Sequence, residues 1–159
     1  MLNLNKVTLQ YSPHEDRILM SGEHDGGDPV AFLLTMRMSR SIVGMLCTHL
    51  DRITPEKPVL GRDMQMACRQ RDAEWQRQPA EPVRCDKGMQ MFLPEKIDFS
   101  CSSGMAALIF PAGNEQAMLK MSLTELRQLL SLLHGLFLAA SWPMEVWPEW
   151  LGAGEPANN

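Results

Sequence analysis

Val30-Ala-Phe-Leu-Leu-Thr-Met36 and the segment Ser39–Ile53 that follows it decide the fold of this chain. The first is a nearly continuous apolar run, which is typical of a strand covered on both faces. The second has apolar residues at steps of three and four, the spacing of an amphipathic helix. Two alternating strand patterns come before them, at Lys6–Tyr11 and Arg17–Met20, separated by turn residues. Residues 1–53 therefore predict strand, strand, strand, helix.

The same order of patterns returns near the C-terminus. A helical pattern at Leu123–Ala140 begins with Ser122-Leu-Thr-Glu125, a capping box in which side chain and backbone bond reciprocally. Three strand patterns precede this helix, at Lys96–Cys101, Ala106–Phe110 and Ala117–Met121.

These patterns predict an α+β fold of two pseudo-repeated units, residues 1–53 and 95–141, each a three-stranded antiparallel sheet followed by a helix. The ends of the third strands align at an offset of 85 residues, whereas the two helices need an offset of 87. The predicted repeat therefore includes a small gap. The alternative is an α+β protein whose hairpins and amphipathic helices are periodic without being repeated.

A charged connector, residues 54–94, joins the two units and contains a predicted helix at about 60–78. Proline-bearing segments bracket this helix, so we expect a discrete element. A Trp- and Pro-rich tail, residues 142–159, follows the second unit, and its prolines forbid a continuous helix. The connector helix has charged residues on one face and a thin apolar stripe of Leu60, Met64, Ala67 or Cys68, and Trp75 on the other.

The composition is that of a folded protein without a membrane span. A length of 159 residues suits one compact domain or two small units that share a core, and 45% hydrophobic residues exclude wholesale disorder. The net charge of −4 does not indicate a dedicated polyanion binder. The most apolar stretch, Leu126–Trp142, is interrupted by polar residues and predicts a core helix.

The N-terminal residues and the cysteines predict a cytoplasmic protein. Residues 1–6 lack the charged and apolar regions of a secretory signal. The cysteines, which we expect to be reduced, are widely spaced and contain no CxxC pair. They are Cys47, Cys68, Cys85 and Cys101.

Methionine is unusually frequent, with thirteen residues in the chain, and several occur as Met-x-Met pairs. Thioethers are soft ligands that select Cu(I), and residues i and i+2 of a strand point to one face. A Cu(I)- or metal-binding protein is therefore one alternative function, with Met36, Met38, Cys47 and His49 as the candidate ligands. Methionine also fills irregular cores and adaptable binding surfaces. We predict packing for these residues and no cofactor.

Single-stranded nucleic-acid binding is a second alternative, because tandem sheet-plus-helix units occur in such proteins. That function needs a basic groove with aromatic side chains on which bases stack. Aromatic residues make up 6% of this chain, and its isoelectric point of about 5.5 opposes the function. Nucleic acid therefore stays an alternative ligand that the composition opposes.

The sequence contains none of the nucleophile, phosphate-loop, dinucleotide or zinc-protease motifs that indicate an enzyme. We therefore predict no catalytic residues. The strongest interaction signal is the tail, since tryptophan is a favoured anchor at interfaces. Either the tail folds back to cap its own domain or a symmetric partner, or it is displayed and docks elsewhere.

The predicted function is a non-catalytic cytoplasmic interaction protein, an accessory or assembly factor that forms a homodimer and binds a protein partner. The predicted binding residues form two patches, one on the tail and one on the connector. They are Trp142, Trp147, Trp150 and Leu151, and Arg69, Arg71 and Arg77.

Overall fold

The structure, a computed structural model, describes residues 1–54, 59–84 and 88–152. Three parts of the sequence predictions lie outside the described residues: the proline-bearing segment at 55–58, Cys85, and the end of the tail at 153–159.

The described chain has seven strands and three helices. Three strands come first and lead into a helix; a second helix and a short strand follow; three more strands and a helix complete the order. The elements are β1 (Leu2–Ser12), β2 (Arg17–His24), β3 (Val30–Leu34), α1 (Met36–Ile53), α2 (Val59–Trp75), β4 (Gln90–Phe92), β5 (Asp98–Ser102), β6 (Met105–Ala112), β7 (Glu115–Met121) and α3 (Leu123–Ala140).

All the strands join one mixed sheet, which confirms the α+β class. Its order is β4-β3-β2-β1-β7-β6-β5. Within each group of three consecutive strands the pairing is antiparallel. The two groups meet where β1 pairs with β7 in parallel, with Leu2 opposite Ala117 and Leu4 opposite Leu119. The strand β4, which the sequence patterns did not predict, pairs in parallel with β3 at the edge.

The two long helices begin at side-chain caps, as their sequences dictate. The Thr35 hydroxyl accepts a hydrogen bond from the backbone N–H of Met38 at the start of α1. At the start of α3, Ser122 and Glu125 form both bonds of the predicted capping box. Each cap sets the residue at which its helix begins after the strand. From these starting points the apolar stripes of both helices face the sheet.

One hydrophobic core lies between the sheet and the helices. The helix α1 contacts β2 and β3, α3 contacts β1, β6 and β7, and α2 packs on α3. The apolar stripe of α1 is buried except for Ile53, which is exposed at the helix end; its buried members are Ile42, Val43, Leu46 and Leu50. The largest fully buried side chains are Phe32, Phe110, Phe137, Ile18, Met20, Leu34, Leu46, Leu50, Met66, Leu108, Leu126 and Leu130.

The connector helix differs from its prediction in extent and in which face is buried. It ends at Trp75 rather than near residue 78. Its buried side is formed by Met66, Ala67, Gln70 and Ala73, which pack on α3. Of the predicted apolar stripe, Met64, Cys68 and Trp75 face solvent and Ala67 is buried, because α2 packs on α3 through a different, partly polar face.

Candidate functional site

The side of α2 that packs on α3 is fixed by two hydrogen bonds in addition to apolar contacts. The Gln70 side chain donates to the carbonyl oxygen of Arg127 over 2.7 Å. The Gln128 side chain donates to the carbonyl oxygen of Ala73 over 2.9 Å. These bonds satisfy backbone and amide groups that are removed from water. They fix the rotation of α2 about its own axis, and this rotation determines which side chains on its other side face solvent.

The opposite side of α2 presents large apolar side chains to solvent. Trp75 is 88% exposed and Met64 is 71% exposed, and Cys68 between them is exposed as well. Steps of four and seven residues place all three on one stripe of the helix. We call this stripe, with Arg71 beside it, the α2 face. Adjacent exposed side chains of this size mark interaction surfaces more often than isolated ones do.

The predicted connector arginines lie on or near this surface. Arg69 and Arg71 are exposed on α2, and Arg77 is exposed two residues beyond the end of the helix. Asp72 lies on the same flank of the α2 face as Arg69, so the surface has both signs of charge.

The predicted tail residues lie against their own chain. Trp142 is 5% exposed and forms edge-to-face contacts with Tyr11 and Phe137 at centroid distances of 5.9 and 5.1 Å. Trp147 is half-buried and contacts His134 and Phe137 in the same geometry. The described part of the tail therefore folds back on its own domain, the first of the two alternatives. Its role in binding a partner stays a prediction.

Trp150 and Leu151 bring the tail to the edge of the α2 face. Both are buried, and together with Arg71 and Trp75 they line a hollow of about 210 Å³. The predicted tail and connector patches, which lie more than sixty residues apart in the sequence, are therefore neighbours in space. Trp75, at 88% exposure, is the most exposed large apolar side chain at this junction.

A buried cation lies beneath Trp150. The Arg127 side chain is 3% exposed, and its guanidinium lies 5.8 Å from the centre of the Trp150 ring. It also donates to the Gln70 side-chain oxygen and the Met66 sulfur, at 3.5 and 3.7 Å. No carboxylate among the described residues forms a salt bridge with it. Burial and then nearby Arg69 lower the pKa of Arg127.

A cleft opens where the two groups of strands separate. β1 pairs with β7 only through Leu4, and beyond this point the strands diverge. The gap is bounded by β1, by the start of α3 and by the segment that follows α2, and it has a volume of about 600 Å³. The backbone N–H of Val83 donates to the Thr8 hydroxyl over 2.9 Å, which fixes the far end of that segment.

The candidate metal ligands do not form a centre. Met36 and Met38 both lie in the first turn of α1 rather than in a strand, so their side chains diverge. His49 packs beside Phe99 at 5.2 Å. Burial raises the pKa of Cys47 to about 12, which opposes the thiolate that a metal requires. Among the described residues no group of three or more His, Cys, Asp or Glu side chains is placed to hold a metal ion.

Among the described residues, the sheet has no aromatic platform on the face away from the helices. The strand aromatics Phe32 and Phe110 are fully buried in the core, and Phe92 packs on Phe32 at 5.7 Å. Tyr11 packs on Trp142, and Phe99 on His49. All five lie in the core or against it. Stacking of unpaired bases on this sheet therefore has no support in the arrangement of its side chains.

Comparison with family models, with curated proteins and with solved structures found no match. The described helices include none with the length and apolar character needed to cross a membrane. The α2 face and the cleft are therefore interpreted from their own geometry.

Sequence reasoning missed the cleft, and on the α2 face it predicted Arg71 as a binding residue but not Trp75. Trp75 was assigned to the apolar stripe of a connector, and its exposure depends on which side of α2 packs against α3. The cleft exists because β1 continues well beyond the residues that pair with β7. The sequence of neither strand indicates where that pairing ends.

Proposed function

We propose that this chain is a non-catalytic interaction or assembly factor that forms a homodimer through the α2 face. The observation that carries the proposal is Trp75, whose large side chain is 88% exposed on a helix held rigidly from behind. Tryptophan is the residue most enriched among those that dominate binding energy. An ordered helix also presents it with little entropy cost on association.

The α2 face is complementary to a second copy of itself in antiparallel orientation. Trp75 and Met64 are eleven positions apart, about 16 Å along the helix. When Trp75 of each copy packs on Met64 of the other, two sulfur–aromatic contacts form. The same arrangement brings Asp72 of each copy near Arg69 of the other, because both lie on one flank. An isologous two-fold contact of this kind closes without further growth.

Arg71 and the tail residues Trp150 and Leu151 border this contact. In the proposed dimer these residues form the rim of the contact. Arg71 there contributes to binding, and the buried tail residues keep the surface around it ordered. A protein partner of the assembled dimer would then meet Trp147, which is the least buried of the tail tryptophans, and Arg77.

The proposal includes an internal repeat and a cytoplasmic location. The caps Thr35 and Ser122 are 87 positions apart, and each begins a helix of 18 residues after a group of three strands. This spacing supports two related units, each with its own strand–helix junction. The exposed thiols of Cys68 and Cys101 suit a reducing compartment.

Co-purification of two differently tagged copies from one cell tests the proposal. We expect the two tagged copies of the unaltered chain to co-purify, and the chain to sediment as a dimer. Trp75→Ala should abolish both results while leaving the melting temperature equal to that of the unaltered chain at a concentration where the dimer has dissociated. Leu138→Ala is the matched control, since Leu138 is an exposed apolar residue on α3. A monomer at every concentration, or a dimer that survives Trp75→Ala, would refute the proposed contact.

A further inference from the structure

β1 has a free main-chain edge inside the cleft. It is the longest strand of the sheet, with 11 residues, and it pairs with β2 from Leu4 to Ser12. On its other side it pairs with β7 only from Leu2 to Leu4. Among the described residues no strand pairs with that side of β1 from Lys6 onward. Main-chain N–H and C=O groups on an unpaired strand edge form strong hydrogen bonds and can pair with another chain.

The cleft provides space along this edge. The stretch Lys6–Leu9 borders it, and four residues of strand span about 13 Å. The volume of about 600 Å³ falls within the range of pre-formed ligand sites, roughly 300–1,000 Å³. The floor and the two walls come from different elements, so the cleft is a property of the folded chain.

The walls combine apolar side chains with amide side chains. Leu129 and Leu132 of α3 line the cleft, as does Gln128 beside them. Gln76 and Gln78 line it from the segment after α2. Basic and acidic side chains occur around the rim in similar numbers, so the cleft has no strong preference for charge.

We propose that the cleft binds an extended segment of another protein, which adds to the sheet as a strand beside β1. An extended chain is the ligand whose own N–H and C=O groups match an unpaired strand edge. Its alternate side chains would point toward Leu129 and Leu132 and away from them, which favours a sequence with apolar residues at every second position. This site is separate from the α2 face and does not rest on the proposed dimer.

The outer edges of the sheet are less suited to the same role. β4 has three residues and is followed by Pro94, and β5 has five residues and begins with Asp98. Short edges with proline or charge are the usual protection against strand addition. The edge of β1 is long, lies inside a cleft and begins in the buried part of the sheet.

Selection of a random dodecapeptide phage library on the full chain tests the inference. We expect enriched peptides with alternating apolar residues, and at least a tenfold loss of their affinity in Leu132→Trp, which fills the cleft. Leu138→Trp is the control, because it makes the same change on an exposed position of α3. Trp75→Ala should leave peptide binding unchanged, which separates this site from the α2 face.

N-methylation of the enriched peptide tests the main-chain pairing itself. In an added strand alternate N–H groups face β1, so methylation of one alternate set should abolish binding while the other set is tolerated. Three outcomes would each overturn the inference: no enrichment, equal binding to Leu132→Trp, or equal tolerance of both methylated sets. Both variants are checked for folding by their thermal melts, and where Leu132→Trp fails to fold, the methylated peptides on the unaltered chain decide.

Discussion

The indole N–H of Trp142 donates a 2.8 Å hydrogen bond to the carboxylate of Asp16, a residue 126 positions earlier in the chain. The same carboxylate accepts a hydrogen bond from the Tyr11 hydroxyl. Asp16 lies in the turn between β1 and β2 with a positive φ of 51°. One carboxylate thus joins the first hairpin to the C-terminal tail, whose Trp142, Trp150 and Leu151 are also buried in the core.

The ionisation of Tyr11 reports this junction directly. Its pKa is raised above 10, first because the phenol donates to Asp16, then because of burial and the adjacent negative charge. Since Tyr11 is the only tyrosine, absorbance of the tyrosinate at alkaline pH measures this residue alone. We expect a midpoint above 10 in the native chain and a midpoint closer to 10 in Asp16→Asn. An identical midpoint in the two proteins would show that the hydrogen bond is not formed in solution.

Asp16 should also make stability depend on pH in the acid range. Hydrogen bonds from Tyr11 and then Trp142 lower its pKa below the usual 3.8. The stabilisation is therefore present above about pH 4 and is lost as pH falls through the native pKa, because the unfolded state then binds more protons. Urea unfolding of the native chain and of Asp16→Asn at several pH values measures this. Asparagine tolerates a positive φ, so the variant changes the charge and keeps the turn. We expect the difference between the two proteins to shrink as pH falls, and a constant difference would contradict the assignment.

Substitution by alanine should lower the free energy of unfolding strongly at Trp142 and hardly at all at Trp75. Trp142 is buried against Tyr11 and Phe137, so Trp142→Ala leaves a cavity and should lower the free energy of unfolding by about 3–5 kcal/mol. Trp75 is exposed, so Trp75→Ala should change the unfolding free energy of the monomer by no more than about 0.5 kcal/mol. Chemical denaturation at low protein concentration measures both. Similar losses in the two variants would mean that Trp75 is covered by its own chain.

Local patterns were enough to predict most of the elements of this fold. Hydrophobic alternation located six strands, and α3 was predicted with its observed limits because the Ser122 capping box marks its start. The third strand was predicted to continue through Met36, but it ends two residues earlier at Leu34, because Thr35 caps α1 and Met36 is already helical. β4 was missed because a strand of three residues leaves too short a pattern.

Tertiary relations could not be read from the same patterns. The stripe containing Met64 and Trp75 is as apolar as the side that is buried, and the hydrogen bonds of Gln70 and Gln128 decide between them. A buried glutamine is not a signal that hydrophobic periodicity can detect. The tail was identified from its tryptophans, but its position depends on Asp16, a turn residue with no mark of that role in the sequence.

The three described cysteines should differ in reactivity. Burial, then the charge of Asp51, raises the pKa of Cys47 to about 12, whereas Cys68 and Cys101 are exposed. Because the thiolate is the reacting form, a thiol reagent near pH 8 should modify Cys101 quickly, Cys68 quickly at protein concentrations where the chain is monomeric, and Cys47 only after denaturation. Peptide mapping by mass spectrometry identifies the modified residues. Protection of Cys68 that is lost in Trp75→Ala would additionally support the α2 contact, and rapid modification of Cys47 in the native chain would contradict its burial.

Arg127 is the most informative single position in the core. Its guanidinium is removed from water and bonds to an amide and a thioether, which do not balance its charge as a carboxylate would. The contact with Trp150 offsets part of this cost. Arg127→Met retains most of the apolar stem and removes the charge, so we expect the free energy of unfolding to stay equal or rise by about 1–4 kcal/mol.

Arg127→Ala provides the comparison, since it removes both the charge and the stem that packs beside Met66. We expect it to be clearly less stable than Arg127→Met in urea unfolding. If Arg127→Met instead loses several kcal/mol, the bonds to Gln70 and the contact with Trp150 outweigh desolvation, and the cation anchors the tail to the helices. In that case Trp150→Leu should produce a loss that is not additive with Arg127→Met, because the two changes would remove the same interaction.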